Sequence, residues 1–207
     1  MYLYGAGGHA KVIAEILDSM GKTISGLFDD NKHIEELGGT KVQKGIRISD
    51  ENTFQALKLP VIISIGDNNE RAEVANLLVN SFDVKFGKAI HSTSIISPSA
   101  FIAEGVMILH GAIIQADTII GKHVLVNTAA SIDHENVIGD YAHVSPHATL
   151  CGRVHVGEGT HIGAGAVVLP NLNIGKWCKI GAGAVVICDI PDFSTAVGNP
   201  ARILVKI

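Results

Sequence analysis

Aromatic side chains are scarce in this sequence. Of 207 residues, 5% are Phe, Trp or Tyr, and Trp occurs once. A core of stacked rings is therefore excluded, and the 47% of hydrophobic residues must fill an interior with aliphatic groups. Cysteine is scarce too. Cys151, Cys178 and Cys188 are odd in number and unevenly spaced, which excludes a disulfide framework and suits reduced thiols in the cytoplasm. Charge is thin, 17% of residues with a net value of −4, so no basic footprint for nucleic acid or a membrane surface exists. No apolar run approaches the roughly 18 residues of a membrane span. The chain opens directly on a short apolar strand, so no secretory leader is visible. Ten histidines are present, but no Cys/His cluster has ligand spacing, and no metal is expected.

What is present is a repeat. From Ile96 to Val186 an aliphatic residue opens every block of six, without insertion. Four places further on sits a mostly small residue, as at Ala100, Ala112, Ala130, Ala142, Ala148, Ala166, Cys178 and Ala184. A strict hexad over such a length marks a parallel β-helix. A sandwich of short strands does not hold identical spacing for so long. Three hexads close one triangular coil, with coils stacked ~4.8 Å apart. The aliphatic and small residues both face inward. Glycines such as Gly139, Gly157, Gly163, Gly165, Gly175, Gly181 and Gly183 are expected where the corner turns tightly.

Before the repeat, Tyr2 to Tyr4 reads as a strand. Gly5-Ala6-Gly7-Gly8-His9-Ala10 follows, then a helix with Val12, Ile13, Ile16 and Leu17 on one face, ended by Gly21. Ile24 to Phe28 is the next strand, capped by Asp29-Asp30. Strand, glycine turn, helix, strand and acid make a nucleotide-binding half-unit, with phosphate at the helix start and ribose or base at the acids. A tight turn without a ligand has the same pattern. Residues 31–50 read as an irregular excursion. Val61 to Ile65 is a buried strand, Gly66 stands at its carboxyl end, a helix runs from about Glu70 to Asn80, and Phe82 to Phe86 reads as a last strand. The domains are thus 1–88 (α/β, Rossmann-like), 89–191 (all-β parallel β-helix) and 192–207 (a Gly/Pro-punctuated loop and tail). The first is too short for the two halves a dinucleotide needs.

In an eighteen-residue coil, residues eighteen apart stack. His134 falls one coil below Gly152, Glu135 below Arg153, His143 below His161 and Ala164 below Ala182. His134 occupies an outward place between Asp133 and Glu135. A carboxylate on one ring nitrogen leaves the other to accept a proton. The Gly152 amide beside it is a candidate oxyanion donor, as acyl transfer requires. A solvated surface histidine fits the same spacing.

Several segments carry a resemblance: Tyr4-Gly5-Ala6-Gly7-Gly8-His9, Asp29-Asp30, Ile65-Gly66-Asp67-Asn68, Asn127-Thr128, Asp133 to Gly139, His143-Val144-Ser145-Pro146 and Val197 to Ala201. Nearly the whole chain resembles the left-handed β-helix acyltransferases with an N-terminal sugar-nucleotide domain, such as the UDP-4-amino-sugar N-acetyltransferases of bacillosamine synthesis and sialic acid O-acetyltransferase-like proteins. The resemblance implies a left-handed coil, against the usual crossover preference. It also implies a homotrimer with acetyl-CoA between neighbouring prisms. By the same resemblance His134 is the general base and Glu135 its partner. His143 and Gly152 lie at the thioester, and Ala164 and Ala182 line the CoA arm. Gly7, Gly8, His9, Asp29, Asp30, Gly66 and Asn127 match substrate-binding positions. The expected reaction is direct acetyl transfer to the C4 amine of a UDP-linked 4-amino-4,6-dideoxy-N-acetylglucosamine-type sugar. Sialic acid O-acetylation and GDP-perosamine-type N-acetylation are the alternatives. An NAD-linked protein with a scaffold β-helix, or a non-catalytic nucleotide-sugar binder, are readings of another class.

Overall fold

The computed structural model describes residues 1–45, 59–82 and 84–204. They form two compact units, Met1–Ser92 and Thr93–Ile207.

The first unit is a mostly parallel sheet with helices. Its elements are β1 (Tyr2–Tyr4), α1 (Gly8–Ser19), β2 (Gly26–Asp29), β3 (Glu36–Leu37), β4 (Thr40–Lys44), β5 (Val61–Ile63) and α2 (Asn68–Ser81). The sheet order is β3-β4-β2-β1-β5, so β1 is an inner strand and pairs in parallel on both sides. Leu3, Tyr4, Val61, Ile62 and Ile63 are buried, which is why β1 and β5 read as unbroken apolar runs. Helix α1 buries Ala10, Ile13, Ile16 and Leu17, while Val12 is only half-buried. It ends where Gly21 takes φ +64°, the left-handed exit that glycine permits. Asp67 caps α2 by accepting from the Glu70 amide.

Two sequence readings change here. The expected irregular stretch contains an antiparallel hairpin, β3 against β4, turned by Gly38 and Gly39 at φ +55° and +78°. β4 then pairs in parallel with β2. A Gly-Gly turn is a hairpin signal, obscured here by a two-residue first strand. Residues 46–50 of that stretch lie outside the described residues. Of the expected strand from Phe82 to Phe86, the described residues form a single bridge, Val61 to Phe86, and residue 83 lies outside the described residues. Phe82 is spent as the C-cap of α2.

The second unit is a triangular prism of two-residue strands. Each pairs in parallel with the strand eighteen residues on, as Ile114 with Ile132, Ile120 with Ile138 and Val126 with Val144. From Ala112 to Ala184 the small inward residues are buried; Ala100, in an early coil, is half-buried. The fourth place of the hexad is left-handed coil after coil. Non-glycine residues take it too, including Asp117, Glu135, Arg153 and Trp177 at φ 52–59°.

The glycines therefore serve two different needs. Gly165 and Gly183 sit at that left-handed place, as expected. Gly139, Gly157, Gly163, Gly175 and Gly181 do not, because their φ is not positive. They are glycine because a Cβ would strike the next coil: at Gly157 it would stand 2.5 Å from the main chain of Gly175 and Lys176. Close stacking, not turning, selects them. Beyond Pro191, Thr195–Val197 joins the ladder on Lys179–Ile180 and folds back antiparallel on Arg202–Ile203, so part of the expected terminal loop is sheet.

Gly157→Ala should lower stability by roughly 2 kcal/mol or more, since rigid main chain must move. Gly111→Ala, at φ +65° with open space around it, should lose only about 1 kcal/mol. Urea denaturation of the two variants checks the contrast.

Candidate functional site

In the first unit a cavity of about 360 Å³ opens at the carboxyl ends of β1, β2 and β5. The chain crosses from β2 to the far side of β1 on reaching β5, so this is the switch point where open α/β sheets take ligands. Gly7, Gly8, His9, Asp29, Asp30 and Gly66, six residues singled out from the sequence, all line it. Gly7, Gly8 and Gly66 have no internal reason to be glycine. None has a positive φ, and a Cβ on any of them would meet nothing within 4 Å. The space they leave is cavity. Helix α1 starts here with no side-chain cap and no acid in its first turn, so its leading amides are open to an anion.

The two acids divide their work. Asp29 accepts from the Ala6 amide at 2.6 Å and from the Asn31 amide at 2.7 Å, clamping the glycine turn to the end of β2. Asp30 accepts from the Tyr4 hydroxyl at 2.8 Å. His9 Nε2 is buried with no partner among the described residues. Burial first, and the Arg71 charge second, lower its pKa from 6.5 to about 4. His9 is therefore neutral at physiological pH. Ser64 and Arg71, which hold this pocket's walls, were not singled out from the sequence, where each reads as an ordinary strand or helix residue; Tyr4 entered there only as a strand residue and the first residue of the glycine motif.

On the prism, His134 stands at the edge between the strands Ser131–Ile132 and Val137–Ile138. Its Nδ1 is 3.0 Å from Glu135 Oε2, and the Arg153 guanidinium lies 3.7 Å from the same oxygen. A Cβ on Gly152 would sit 2.6 Å from His134 Nε2 and Cε1, so the ring lies over Gly152 and only glycine leaves room for it. Beneath the turn, the fully buried Asn136 amide donates to the carbonyls of Asp133, His134 and Cys151, and its oxygen accepts from Val154. Asn136 locks the turn; its inward place hid that role in the sequence. The arrangement supplies a base nitrogen, a carboxylate behind it and a main-chain amide beside it.

His143 belongs to a different face. Its ring stacks on His161 at 4.6 Å and 11°. Its Nε2 is 3.1 Å from Asn127 Nδ2. Asn127 Oδ1 is taken by the Thr128 amide at 2.8 Å, so Nδ2 is the donor and His143 Nε2 accepts. Asn127, grouped with substrate residues from the sequence, is thus placed beside His143 on the prism and not among the residues lining the first unit's cavity. Ala164 and Ala182 are exposed on the edge that follows this face, linked by the Gly183 amide to the Ala164 carbonyl. Within one chain the His134 edge and the Ala164 edge are different edges of the triangle and do not meet.

Residues 1–78 match the family described as PglD N-terminal domain, and residues 137–170 and 153–188 match bacterial transferase hexapeptide (six repeats). The structure is similar to that of a histidine-to-asparagine variant of perosamine N-acetyltransferase from Caulobacter crescentus in complex with CoA and GDP-perosamine, at 33% identity and TM-score 0.92, covering 99% of this chain and 96% of that one. The chain belongs to the hexapeptide-repeat, left-handed β-helix sugar N-acetyltransferase family. Another similar structure is the acetyltransferase domain of PglB from Neisseria gonorrhoeae FA1090 in complex with acetyl coenzyme A, at 32% identity and TM-score 0.88, covering 98% of each chain. A curated relative, uncharacterized protein L142 of Acanthamoeba polyphaga mimivirus, is 36% identical over 105 residues; the match spans 51% of this chain and about a fifth, 20%, of that protein. As in its family, the prism of this sugar N-acetyltransferase relative is left-handed, an exception to the right-handed crossover rule. Among the described residues no helix is long and apolar enough to cross a membrane.

The buried histidine has a pH consequence. In the unfolded chain His9 takes up a proton near pH 6.5, but in the fold only near 4. Between these values the unfolded state binds more protons, so stability should fall as pH drops through this window, by up to roughly 3 kcal/mol. Urea denaturation at pH 7 and 4.5 should show that decline, and His9→Gln should reduce it.

Proposed function

We propose that this protein transfers the acetyl group of acetyl-CoA to the amine of a nucleotide-linked amino sugar. The observation that carries the reading is the His134 edge, where an imidazole backed by Glu135 rests on the glycine whose amide would face a thioester oxygen. Support comes from the full-length similarity to an enzyme solved with CoA and GDP-perosamine, and from a domain solved with acetyl coenzyme A. For the acceptor, a GDP-linked 4-amino sugar of the perosamine kind is placed ahead of the UDP-linked sugar expected from the sequence, because the perosamine enzyme is the more similar of the two. The relatives carry N-acetyltransferase names, so the O-acetylation alternative stands behind both. The NAD-linked and non-catalytic readings draw no support from them.

In the proposed reaction the sugar nitrogen attacks the thioester carbonyl, and His134 Nε2 accepts the amine proton. Glu135 holds Nδ1–H, and the Gly152 amide donates to the oxygen that gains charge. The C–S bond then breaks and the CoA thiolate takes up the proton. Cys151 adjoins Gly152, but burial first and the Asp133 charge second push its thiol up, so it is a poor nucleophile. Transfer is therefore direct.

A homotrimer completes the reading. One edge presents His134, Glu135 and Gly152, and another presents Ala164 and Ala182 after the His143 face. A neighbouring copy would bring one set to the other, with CoA between. Outward Ile95, Phe101, Ile119 and Val137 on the prism faces are apolar enough for such contacts. Cytoplasmic localisation follows from the nucleotide-activated substrates.

His134→Ala should lower kcat by ~10²–10⁴ with a small change in KM for acetyl-CoA, measured by thiol release with GDP- and UDP-linked 4-amino sugars. A variant within threefold of wild type removes His134 from the mechanism. Gly8→Ala should fold normally yet bind GDP and UDP roughly tenfold more weakly by calorimetry, because its methyl occupies the cavity.

A further inference from the structure

One charge in the first unit has no part in the chemistry above. Arg71, on α2, is 0% exposed. Burying a guanidinium is costly unless its donors are matched. Here Nη1 donates to the carbonyls of Ile65 at 3.0 Å, Gly66 at 3.1 Å and Asp67 at 3.3 Å, and Nη2 donates to Asn68 Oδ1 at 2.8 Å. Three consecutive carbonyls of the turn between β5 and α2 are drawn to one cation.

That has a geometric consequence on the opposite side of the turn. In a trans peptide the N–H of one residue points opposite to the preceding C=O. The Gly66 and Asp67 amides are therefore turned away from Arg71. Ile65, Gly66 and Asp67 line the cavity and Arg71 does not. A Cβ on Gly66 would find only open space. No described group accepts from either amide. Successive amides aimed into a concavity accept anions, and the cation behind them strengthens the field in a low-dielectric wall. The lowered pKa of His9, on the cavity's other wall, registers the same charge.

We propose that Arg71 is a positioning residue that shapes the 65–67 turn into an amide cradle for the diphosphate of the substrate, opposite the start of α1. It touches no substrate atom. The inference rests on the proposed function, since it needs a nucleoside diphosphate in this cavity.

The test compares GDP with GMP, and UDP with UMP, by calorimetry on the full chain. Variants are Arg71→Lys, which keeps the charge but loses the fork, and Arg71→Met. Diphosphate affinity should fall roughly tenfold or more while monophosphate affinity changes much less, with KM for acetyl-CoA unchanged and the His9 NMR titration moved upward in Arg71→Met. Should either variant melt below the assay temperature, Asp67→Pro decides. Its φ of −69° accepts proline, which deletes one cradle amide together with the Asp67 side-chain cap of α2, so Asp67→Ala, which loses the cap alone, is its control. The same selective loss of diphosphate binding supports the cradle. Equal weakening of mono- and diphosphates in a folded variant, or no weakening, overturns it while the proposed function stands. Wild-type protein that binds neither GDP nor UDP overturns both.

Discussion

The eighteen-residue coil is the constraint on which the second unit depends. Each two-residue strand pairs with the strands one coil above and below, so a residue's neighbour on the outer wall is set by arithmetic. The interior accepts one aliphatic and one small side chain per hexad, and the corner forces its fourth residue into the left-handed region. Because that strain is repeated at Asp117, Glu135, Arg153 and Trp177, it is carried by the ladder and not by residue type. The result is a wall stiff enough to hold an imidazole against a main-chain glycine.

His134 shows how local sequence and stacking combine. Glu135 sits at the left-handed place, which turns its carboxylate toward the ring of the residue before it. Gly152, one coil on, removes the only side chain that would push the ring away. Asn136 fills the inward place below with an amide that satisfies three carbonyls at once, where the repeat would otherwise put an alanine. A buried polar group with all its bonds made is rigid, and its rigidity is passed to the base.

The first unit works differently. Its cavity is formed by what is missing, side chains at Gly7, Gly8 and Gly66. Asp29 gives one oxygen to the Ala6 amide of the glycine turn and the other to the Asn31 amide, and Arg71 spends its donors on the turn between β5 and α2. His9 lies within reach of that cation and stays neutral. The pocket's lining combines main-chain amides and a neutral ring with the acids Asp29, Asp30, Asp67 and Glu70, and the formal positive charge of Arg71 lies one layer behind.

Period and stacking were legible in the sequence because a solenoid repeats its geometry every coil; the hexad alone determined the prism, its inward residues, and the pairing of His134 with Gly152 and of Glu135 with Arg153. The glycine turn and the acids after β2 likewise marked the cavity, since few other residues allow a backbone that open. What the sequence could not determine depends on contacts with no fixed spacing. The hairpin of β3 and β4 relies on partners outside its own segment. The split of the prism residues between two edges follows from which corner each hexad turns. Arg71 reads as one more charged residue on a helix, and only the packed fold shows that its side chain lies wholly inside and faces the carbonyls of a turn. Periodic order is written locally, residue by residue, whereas the surroundings of a buried charge are decided by every element that closes over it.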